Sequence, residues 1–251
     1  MGVQFQPAPG YQQIRSLEVW QLFQEQFPIV SEQTPLNAQF ETFGLPAVQQ
    51  YLPFQFGTGV EHSRLWFQSA SGHDLIQFQP DRLLHNWRKM DIESAEYPRF
   101  EGVLAQFKSE MLRLQTYFTG HGSERLVITQ CELSYLNQIK SVGGWEKFSP
   151  QEWFSYIAPD APPVDEFLCT VKRILHDAEG KPYGRLHRES VTGVDRQGGR
   201  VLTLNLTARG RPDMDTIDGA LVFLENTRHM IADEFIRSTT PAAHERWKRV
   251  R

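Results

Sequence analysis

The sequence predicts an α+β fold of two related halves, each an antiparallel sheet covered by a long helix. Three observations carry this prediction: a similar order of elements occurs twice, short turns join the strands, and each block ends in a long amphipathic helix. The layout divides the chain into residues 1–120 and 121–251. We expect a helix-grip or TATA-binding-protein-like arrangement, because a long helix can cover the one apolar face of an antiparallel sheet.

Strand patterns followed by a long helix define the first half. Val3–Gln6 alternates apolar and polar residues, and Ser63–Gln68 and Asp74–Gln79 flank a Ser-Gly-His-Asp turn. These patterns predict a short strand and a hairpin. Phe100–Phe118 is predicted to form one helix, because apolar residues recur there at steps of three and four. The resulting stripe consists of Phe100, Val103, Leu104, Phe107, Met111, Leu114 and Phe118.

The second half repeats that order with more strands. Leu126–Ile139 is a strand candidate, and three further strands are predicted at Phe167–His176, Tyr183–Val194 and Val201–Thr207. In the last of these strands leucines alternate with polar residues, which indicates one buried face. Ile217–Ile236 is the predicted closing helix.

Four less regular segments complete the prediction. Pro150–Ile157 is expected to be a short helix, because Ser149 can cap it and proline suits the first turn. Ser31–Thr58, rich in Pro, Gln and Gly, is expected to be a long connection with at most one short strand. Trp247 is expected to dock a short terminal helix on the body. An earlier helix is expected over residues 14–27, with Leu17, Trp20, Phe23 and Phe27 near one face.

Composition limits the classes of function. The chain has 251 residues, among them 17 Phe, 7 Tyr and 6 Trp, which is typical of a folded protein with a sizeable core. The formal charge of -4 gives no general attraction to nucleic acid, so such binding would need a local basic patch. Cys131 and Cys169 are expected to be buried, reduced thiols. Two cysteines without a C-x-x-C pair do not predict a zinc site, and we expect no metal or cofactor.

The chain also lacks the patterns of membrane and exported proteins. No stretch approaches the ~18–20 consecutive apolar residues that a membrane span requires. The first residues carry no basic region followed by an apolar core, so no signal peptide is predicted. We therefore expect a cytoplasmic protein without a membrane partner.

The densest polar and aromatic stretch runs from Asp81 to Lys89. Its residues could engage an anionic ligand, with an aromatic ring stacking and the cations pairing. Alternatively, the tryptophan completes the core at the end of a strand while the cations meet water. We expect the stretch to connect the hairpin to the long helix, where a groove could form. The candidate ligand-binding residues are Arg82, His85, Trp87 and Arg88.

A second set of cations lies on the hairpin centred on Gly180. Pairing Ile174 with Leu186 would place Lys172 opposite Arg188, with Arg173 and Arg185 beside them. Like charges directly opposite are unfavourable without an anionic partner. The hairpin is therefore predicted to present a basic stripe to a phosphate, a nucleic acid or an acidic protein surface. The alternative is a solvated face of mixed charge.

The same register bears on metal binding. His176 would lie opposite Gly184 and His187 opposite Arg173, so the two imidazoles would not converge. No carboxylate has the spacing needed to complete a site. The hairpin therefore does not predict a metal centre.

Several short aromatic-rich segments stand out along the chain: Gly2-Val-Gln-Phe-Gln-Pro, Trp20 to Pro28, Gln79-Pro-Asp-Arg-Leu-Leu-His-Asn-Trp-Arg, Tyr97-Pro-Arg-Phe, Ser134-Tyr-Leu-Asn-Gln-Ile and Ser238-Thr-Thr-Pro-Ala-Ala-His-Glu-Arg-Trp. Together they resemble a sporadically distributed bacterial family of uncharacterised proteins. The resemblance keeps the order of the segments over nearly the whole chain and implies no established activity. Sporadic distribution implies an accessory role, such as defence or toxin–antitoxin function. In that family the first strand begins a few residues before the Gly-Val-Gln-Phe position, which leaves open a start upstream of Met1.

The expected role is non-catalytic binding of a partner protein or a small ligand in the groove between helix and sheet. Aromatic residues could supply both core and anchors. The first alternative is nucleic-acid association through the basic stripe. The second is a hydrolase or nuclease whose acidic residues come from distant segments, which would require two carboxylates and a histidine in one pocket. The oligomeric state is left open, a homodimer included.

Overall fold

Nine strands form one large antiparallel sheet in the computed structural model, which describes residues 1–44, 63–90, 97–140, 149–161, 164, 166–194 and 198–247. Neighbouring strands follow the order β2-β3-β4-β5-β1-β6-β9-β8-β7. Their bounds are β1 Gly2–Phe5, β2 Ile29–Gln33, β3 Arg64–Gln68, β4 Asp74–Gln79, β5 Arg82–Trp87, β6 Ile128–Lys140, β7 Leu168–His176, β8 Pro182–Val194 and β9 Arg200–Gly210.

Four α-helices accompany the strands in the described part of the chain. The two long ones, α2 (Arg99–Thr119) and α3 (Ile217–Ser238), follow the strand blocks as predicted. Short 3-10 turns occur at Gln13–Arg15 and Pro150–Glu152. The helices are α1 Ser16–Gln21, α2 Arg99–Thr119, α3 Ile217–Ser238 and α4 Pro241–Arg246. The predicted α+β class with antiparallel strands is thereby confirmed. None of the described helices is long and apolar enough to cross a membrane.

The chain divides into two compact units. One unit contains Met1–Glu132 and Gly210–Leu224, and the other contains Leu133–Arg209 and Glu225–Arg251. These units describe compactness, whereas the predicted division at residue 120 concerns a repeated order of elements. That division stays a prediction.

Helix α2 covers one face of the sheet in the first unit. Its predicted stripe is buried at Phe107, Met111 and Leu114, and α2 contacts β5. Phe118 extends the contact, because its ring meets the ring of Phe5 edge-on with centroids 6.2 Å apart. The three-and-four spacing therefore identified the correct face of this helix.

The core of the second unit uses the predicted alternation along β9. Leu204 and Leu206 are buried, while Asn205 between them is half-buried. Trp247 stacks on Trp153 with ring centroids 5.5 Å apart, which confirms that this tryptophan docks the terminal helix. Thr240 caps that helix by accepting a hydrogen bond from the backbone N–H of Ala243.

Both predicted short helices were wrong in extent. The helix expected over residues 14–27 is α-helical only at Ser16–Gln21, and Leu17 faces solvent. A turn follows the helix, closed by the Trp20 side chain, which donates a hydrogen bond to the carbonyl of Phe27 at 2.9 Å. This turn brings both Phe23 and Phe27 into the core.

The helix expected over Pro150–Ile157 is a single 3-10 turn, and the Ser149 side chain does not cap it. The helix stops there because Phe154 forms a β-bridge with Thr239. The predicted connection Ser31–Thr58 contains most of β2. Its part from residue 45 onward lies outside the described residues.

The two cysteines are free thiols, as predicted. Cys131 is buried, and its burial raises the pKa of the thiol well above the usual range. Cys169 is only half-buried, so the predicted burial was wrong for this residue. It lies on β7, the last strand of the sheet, where fewer neighbours cover the side chains.

Phe107→Ala should lower the free energy of unfolding by about 3–5 kcal/mol, because it leaves a cavity beneath α2. The matched control is Leu112→Ala on the same helix, whose side chain is 43% exposed; it should change stability by no more than ~0.5 kcal/mol. Urea unfolding followed by far-UV circular dichroism measures both. Equal unfolding midpoints for the two variants would show that α2 does not bury this stripe.

Candidate functional site

The stretch expected to connect the hairpin to α2 is itself a strand, β5, and its candidate residues lie on two faces of the sheet. Leu83, His85 and Trp87 face α2, while Arg82 and Asn86 face the opposite side, as the pairing with β4 requires. The interpretation as a connection was wrong because polar residues occupy both faces. No alternation of hydropathy indicates this strand, because apolar Leu84 lies on the open face and polar His85 on the covered face.

Arg82 is held by groups of its own chain. Its guanidinium donates to the carboxylate of Asp81 at 2.9 and 3.1 Å. It also donates to the carbonyl of Asn37 at 3.3 Å and to the side chain of Gln4 at 3.4 Å. Arg82 is buried and already paired with a carboxylate. Its guanidinium therefore positions Asn37 and Gln4 and is not available to bind an external anion.

His85 lies between two carboxylates in the helix–sheet core. Its Nδ1 is 3.0 Å from Glu110 Oε1 on α2, and its Nε2 is 3.5 Å from Asp74 Oδ1 on β4. Nε2 has no hydrogen bond of good geometry, so we treat the Asp74 contact as an ion pair. Burial lowers the pKa of His85, but the two carboxylates outweigh this effect and the net shift is upward.

This cluster contains the two carboxylates and the histidine that a hydrolase would need, but the histidine is fully buried and only Asp74, 29% exposed, reaches the surface. The side chain of His85 has 0% exposure and that of Glu110 has 4%, so no substrate reaches the imidazole. A buried pair of this kind holds α2 to β5. Sequence reasoning missed Glu110, although it occupies a stripe position, three residues after Phe107 and four before Leu114.

Trp87 and Arg88 support the turn between β3 and β4. The indole stacks on His73 with ring centroids 6.1 Å apart and meets Tyr97 edge-on at 4.9 Å. The Arg88 side chain donates to the carbonyl of Gly72 at 2.8 Å. The structure therefore does not bring the four candidates of this half into one anion site: Arg82 lies on one face, His85 on the other, and Trp87 and Arg88 at the turn.

The predicted register of the second hairpin was wrong by one residue. Ile174 pairs with Arg185, Arg173 with Leu186 and Lys172 with His187. The turn sets this register, because Asp177 Oδ1 accepts hydrogen bonds from the backbone N–H groups of Glu179 and Lys181. A bulge between Leu175 and His176 then shifts the strands in a way that turn length alone does not reveal.

The observed register divides the four predicted cations between the two faces of the sheet. Arg173 and Arg188 lie on the face toward α3, where both pair with Glu234 at 3.5 and 3.0 Å. Lys172 and Arg185 lie on the opposite face, because cross-strand partners share a face. The four residues therefore form no continuous stripe. The sequence analysis predicted that these cations need an anionic partner, and Glu234 of the same chain is that partner for Arg173 and Arg188. The sequence analysis did not identify Glu234.

Arg188 is also held from a second side. Its guanidinium lies 4.1 Å above the ring of Tyr156, a cation–π contact, and the hydroxyl of Tyr156 is 2.6 Å from that of Ser190. Together with Glu234 these contacts keep Arg188 inside the second unit.

Strand β7 is the terminal strand of the sheet beside β8. Leu168 is 75% exposed and Val171 is 41% exposed. Lys172 and His176 on the same strand are also exposed. In the described part of the chain no strand lies on the outer side of β7. We call Leu168–His176 the β7 edge; it contains Lys172 and Arg173, two of the predicted binding residues.

Among the residues that the structure describes, no group of three or more His, Cys, Asp or Glu side chains is arranged to hold a metal ion. Comparison with protein-family models, with curated proteins and with solved structures found no match for this chain. Fold and site thus define an α+β protein with a large antiparallel sheet, a buried histidine between two carboxylates and an exposed terminal strand.

The His85 cluster should make stability depend on pH. Because the pKa of His85 is raised in the folded state, its contribution is complete below the unfolded value of about 6.5 and is lost as pH rises through the folded value. Three ionisable groups face this ring: Asp74, Glu110 and the α-amino group of Met1. Burial lowers the pKa of that amino group to about 6, and its titration is common to both proteins compared below.

The comparison is wild type against His85→Asn, a neutral variant that keeps a donor toward Glu110. The difference in free energy of unfolding between them should be largest near pH ~6 and smaller near pH ~9. Urea titrations across this range measure it. A difference that stays constant with pH would mean that folding does not shift the pKa of His85, and a difference that grows with pH would mean that the ring is uncharged in the folded protein.

Proposed function

We propose that this protein is a non-catalytic interaction module that binds an extended, acidic segment of a partner protein along the β7 edge. The observation that carries the proposal is a terminal strand whose apolar side chains are exposed next to two adjacent cations. The bound segment would become an additional strand of the sheet.

Main-chain pairing supplies the affinity in this mode of binding. An edge strand presents N–H and C=O groups on its outer side that a second strand can pair with. The nine residues of the β7 edge are long enough for a strand of ordinary length. Val171 lies on the face toward α3, while Leu168 and Ile174 lie on the opposite face, so apolar contacts are available on both sides of an added strand.

Charge selects the kind of partner. Lys172 and Arg173 are adjacent, so their side chains leave opposite faces of the sheet. A segment with acidic residues at alternate positions presents them on one face, where they would meet Lys172, and each such cross-strand pair favours binding by roughly 0.2–1 kcal/mol. Arg173, on the other face, is already paired with Glu234. Antiparallel pairing of two copies of this chain about Lys172 would place lysine against lysine. The same cations therefore disfavour self-association at this edge.

We also propose that the two halves arose by duplication and share a helix-grip arrangement. In each half the first strand pairs with the last strand of the following block, β1 with β5 and β6 with β9. A long helix then follows, α2 in the first half and α3 in the second. This repeated connectivity supports the proposal. An accessory role, which the resemblance to a sporadic bacterial family implies, fits an adaptor without chemistry of its own.

The test uses a fluorescent peptide of about ten residues in which valine or threonine alternates with glutamate, a pattern that favours an extended strand. Lys172→Glu should weaken its binding roughly five- to tenfold, because an attractive cross-strand pair becomes repulsive. Fluorescence anisotropy measures the affinity. The matched control is Lys181→Glu, which makes the same charge change at an exposed position of the turn beyond the strand and should leave binding unchanged.

Two results would reject this function. Equal losses in both lysine variants would mean that general charge, not the β7 edge, attracts the peptide. Preference for a single-stranded oligonucleotide over the peptide, with binding that falls steeply as salt rises, would identify the protein as a nucleic-acid binder instead.

A further inference from the structure

A row of polar side chains crosses the first unit's sheet on the face opposite α2. Gln79 on β4 pairs with Arg82 on β5, Arg82 pairs with Gln4 on β1, and Gln4 pairs with Gln130 on β6. Cross-strand partners share a face, so these four side chains form a line perpendicular to four neighbouring strands. We call Gln79, Arg82, Gln4 and Gln130 the amide row.

A segment of the chain itself, Leu36–Gln39, lies across this row and is held by its main chain. Gln79 accepts from the N–H of Leu36 at 2.9 Å and donates to its carbonyl at 3.2 Å. Gln4 makes the same pair of hydrogen bonds with Gln39: its side chain donates to the carbonyl at 2.8 Å and accepts from the N–H at 3.2 Å. Between them, Arg82 donates to the carbonyl of Asn37 at 3.3 Å.

The spacing of these contacts suits an extended polypeptide of any sequence. Gln79 and Gln4 lie two strands apart, which corresponds to ~10 Å at a strand separation of ~4.8 Å. Three residues of extended chain, the separation of Leu36 and Gln39, also cover ~10 Å. These hydrogen bonds involve only main-chain groups of Leu36–Gln39 and none of its side chains. The side chains of Leu36 and Phe40 are exposed. The amide row therefore recognises main chain.

The fourth member of the row has no partner for its donor. Gln130 is only 4% exposed, and its Nε2 has no hydrogen-bond partner within the described ranges. A buried amide N–H₂ left unpaired destabilises a protein. Its place in the row, beside Gln4, is the position that a carbonyl would reach if an extended chain continued one strand beyond Gln39.

We propose that the amide row is a binding site for an extended polypeptide main chain. In the structure this site is occupied by Leu36–Gln39 of the same chain, which we call the resident segment. A partner's extended segment would replace the resident segment and continue to Gln130. The site is independent of the β7 edge, because every residue in it belongs to the first unit. The tether gives the resident a high effective concentration, so a free peptide competes poorly until the resident is loosened.

The experiment compares the wild type with the double variant Leu36→Pro/Gln39→Pro, which removes the two resident N–H groups that Gln79 and Gln4 accept from. The probe is a labelled synthetic peptide with the sequence of residues Pro35–Thr42. The double variant should bind it at least about tenfold more tightly than the wild type in fluorescence anisotropy, because the tethered competitor is weakened. Adding Gln79→Leu to the double variant should abolish the gain.

Gln130 separates a binding role from a structural one. In the loosened variant, Gln130→Leu should weaken peptide binding several-fold, because a bound carbonyl loses its donor. It should not lower the melting temperature, because the resident chain makes no bond to this amide. The control is Gln138→Leu at an exposed position of the same strand. If the loosened variant, shown by circular dichroism to be folded, binds the peptide no better than the wild type, the amide row merely anchors a loop.

Discussion

In the first unit, the burial of one sheet face beneath α2 determines which strand side chains are removed from water. Residues of a strand alternate between the two faces, so helix cover removes half of the strand side chains from water. His85 falls on the covered face of the first unit and must be paired, which Glu110 and Asp74 accomplish. Arg82 falls on the uncovered face, one position away in the alternation of β5, and contacts loop backbone instead.

The long elements could be predicted because their apolar spacing is regular. The stripe of α2, the β3–β4 hairpin and the leucines of β9 each follow a single period over several residues. Strand β5 escaped prediction because its covered face includes a histidine, His85, and its open face a leucine, Leu84. Hydropathy along such a strand does not alternate, although the geometry does.

The candidate sites depend on information that spacing does not contain. A one-residue difference in the register of β7 and β8 decides whether Lys172 faces Arg188 or His187, and a bulge sets that register. The partner of Arg173 and Arg188 is Glu234, which lies 46 residues beyond Arg188 on α3. The amide row likewise combines residues from four strands, and only the completed pairing places them in line. Residue types were visible in the sequence, but their assembly required the fold.

Holding a loop by its backbone has an evolutionary consequence. Where Gln79 and Gln4 contact only the N–H and C=O groups of Leu36 and Gln39, substitutions of the intervening side chains leave the contacts intact. A single-residue insertion or deletion between them would not, because the chain would no longer match the distance between the two glutamines. Homologous sequences should therefore diverge freely in composition at this loop while conserving its length.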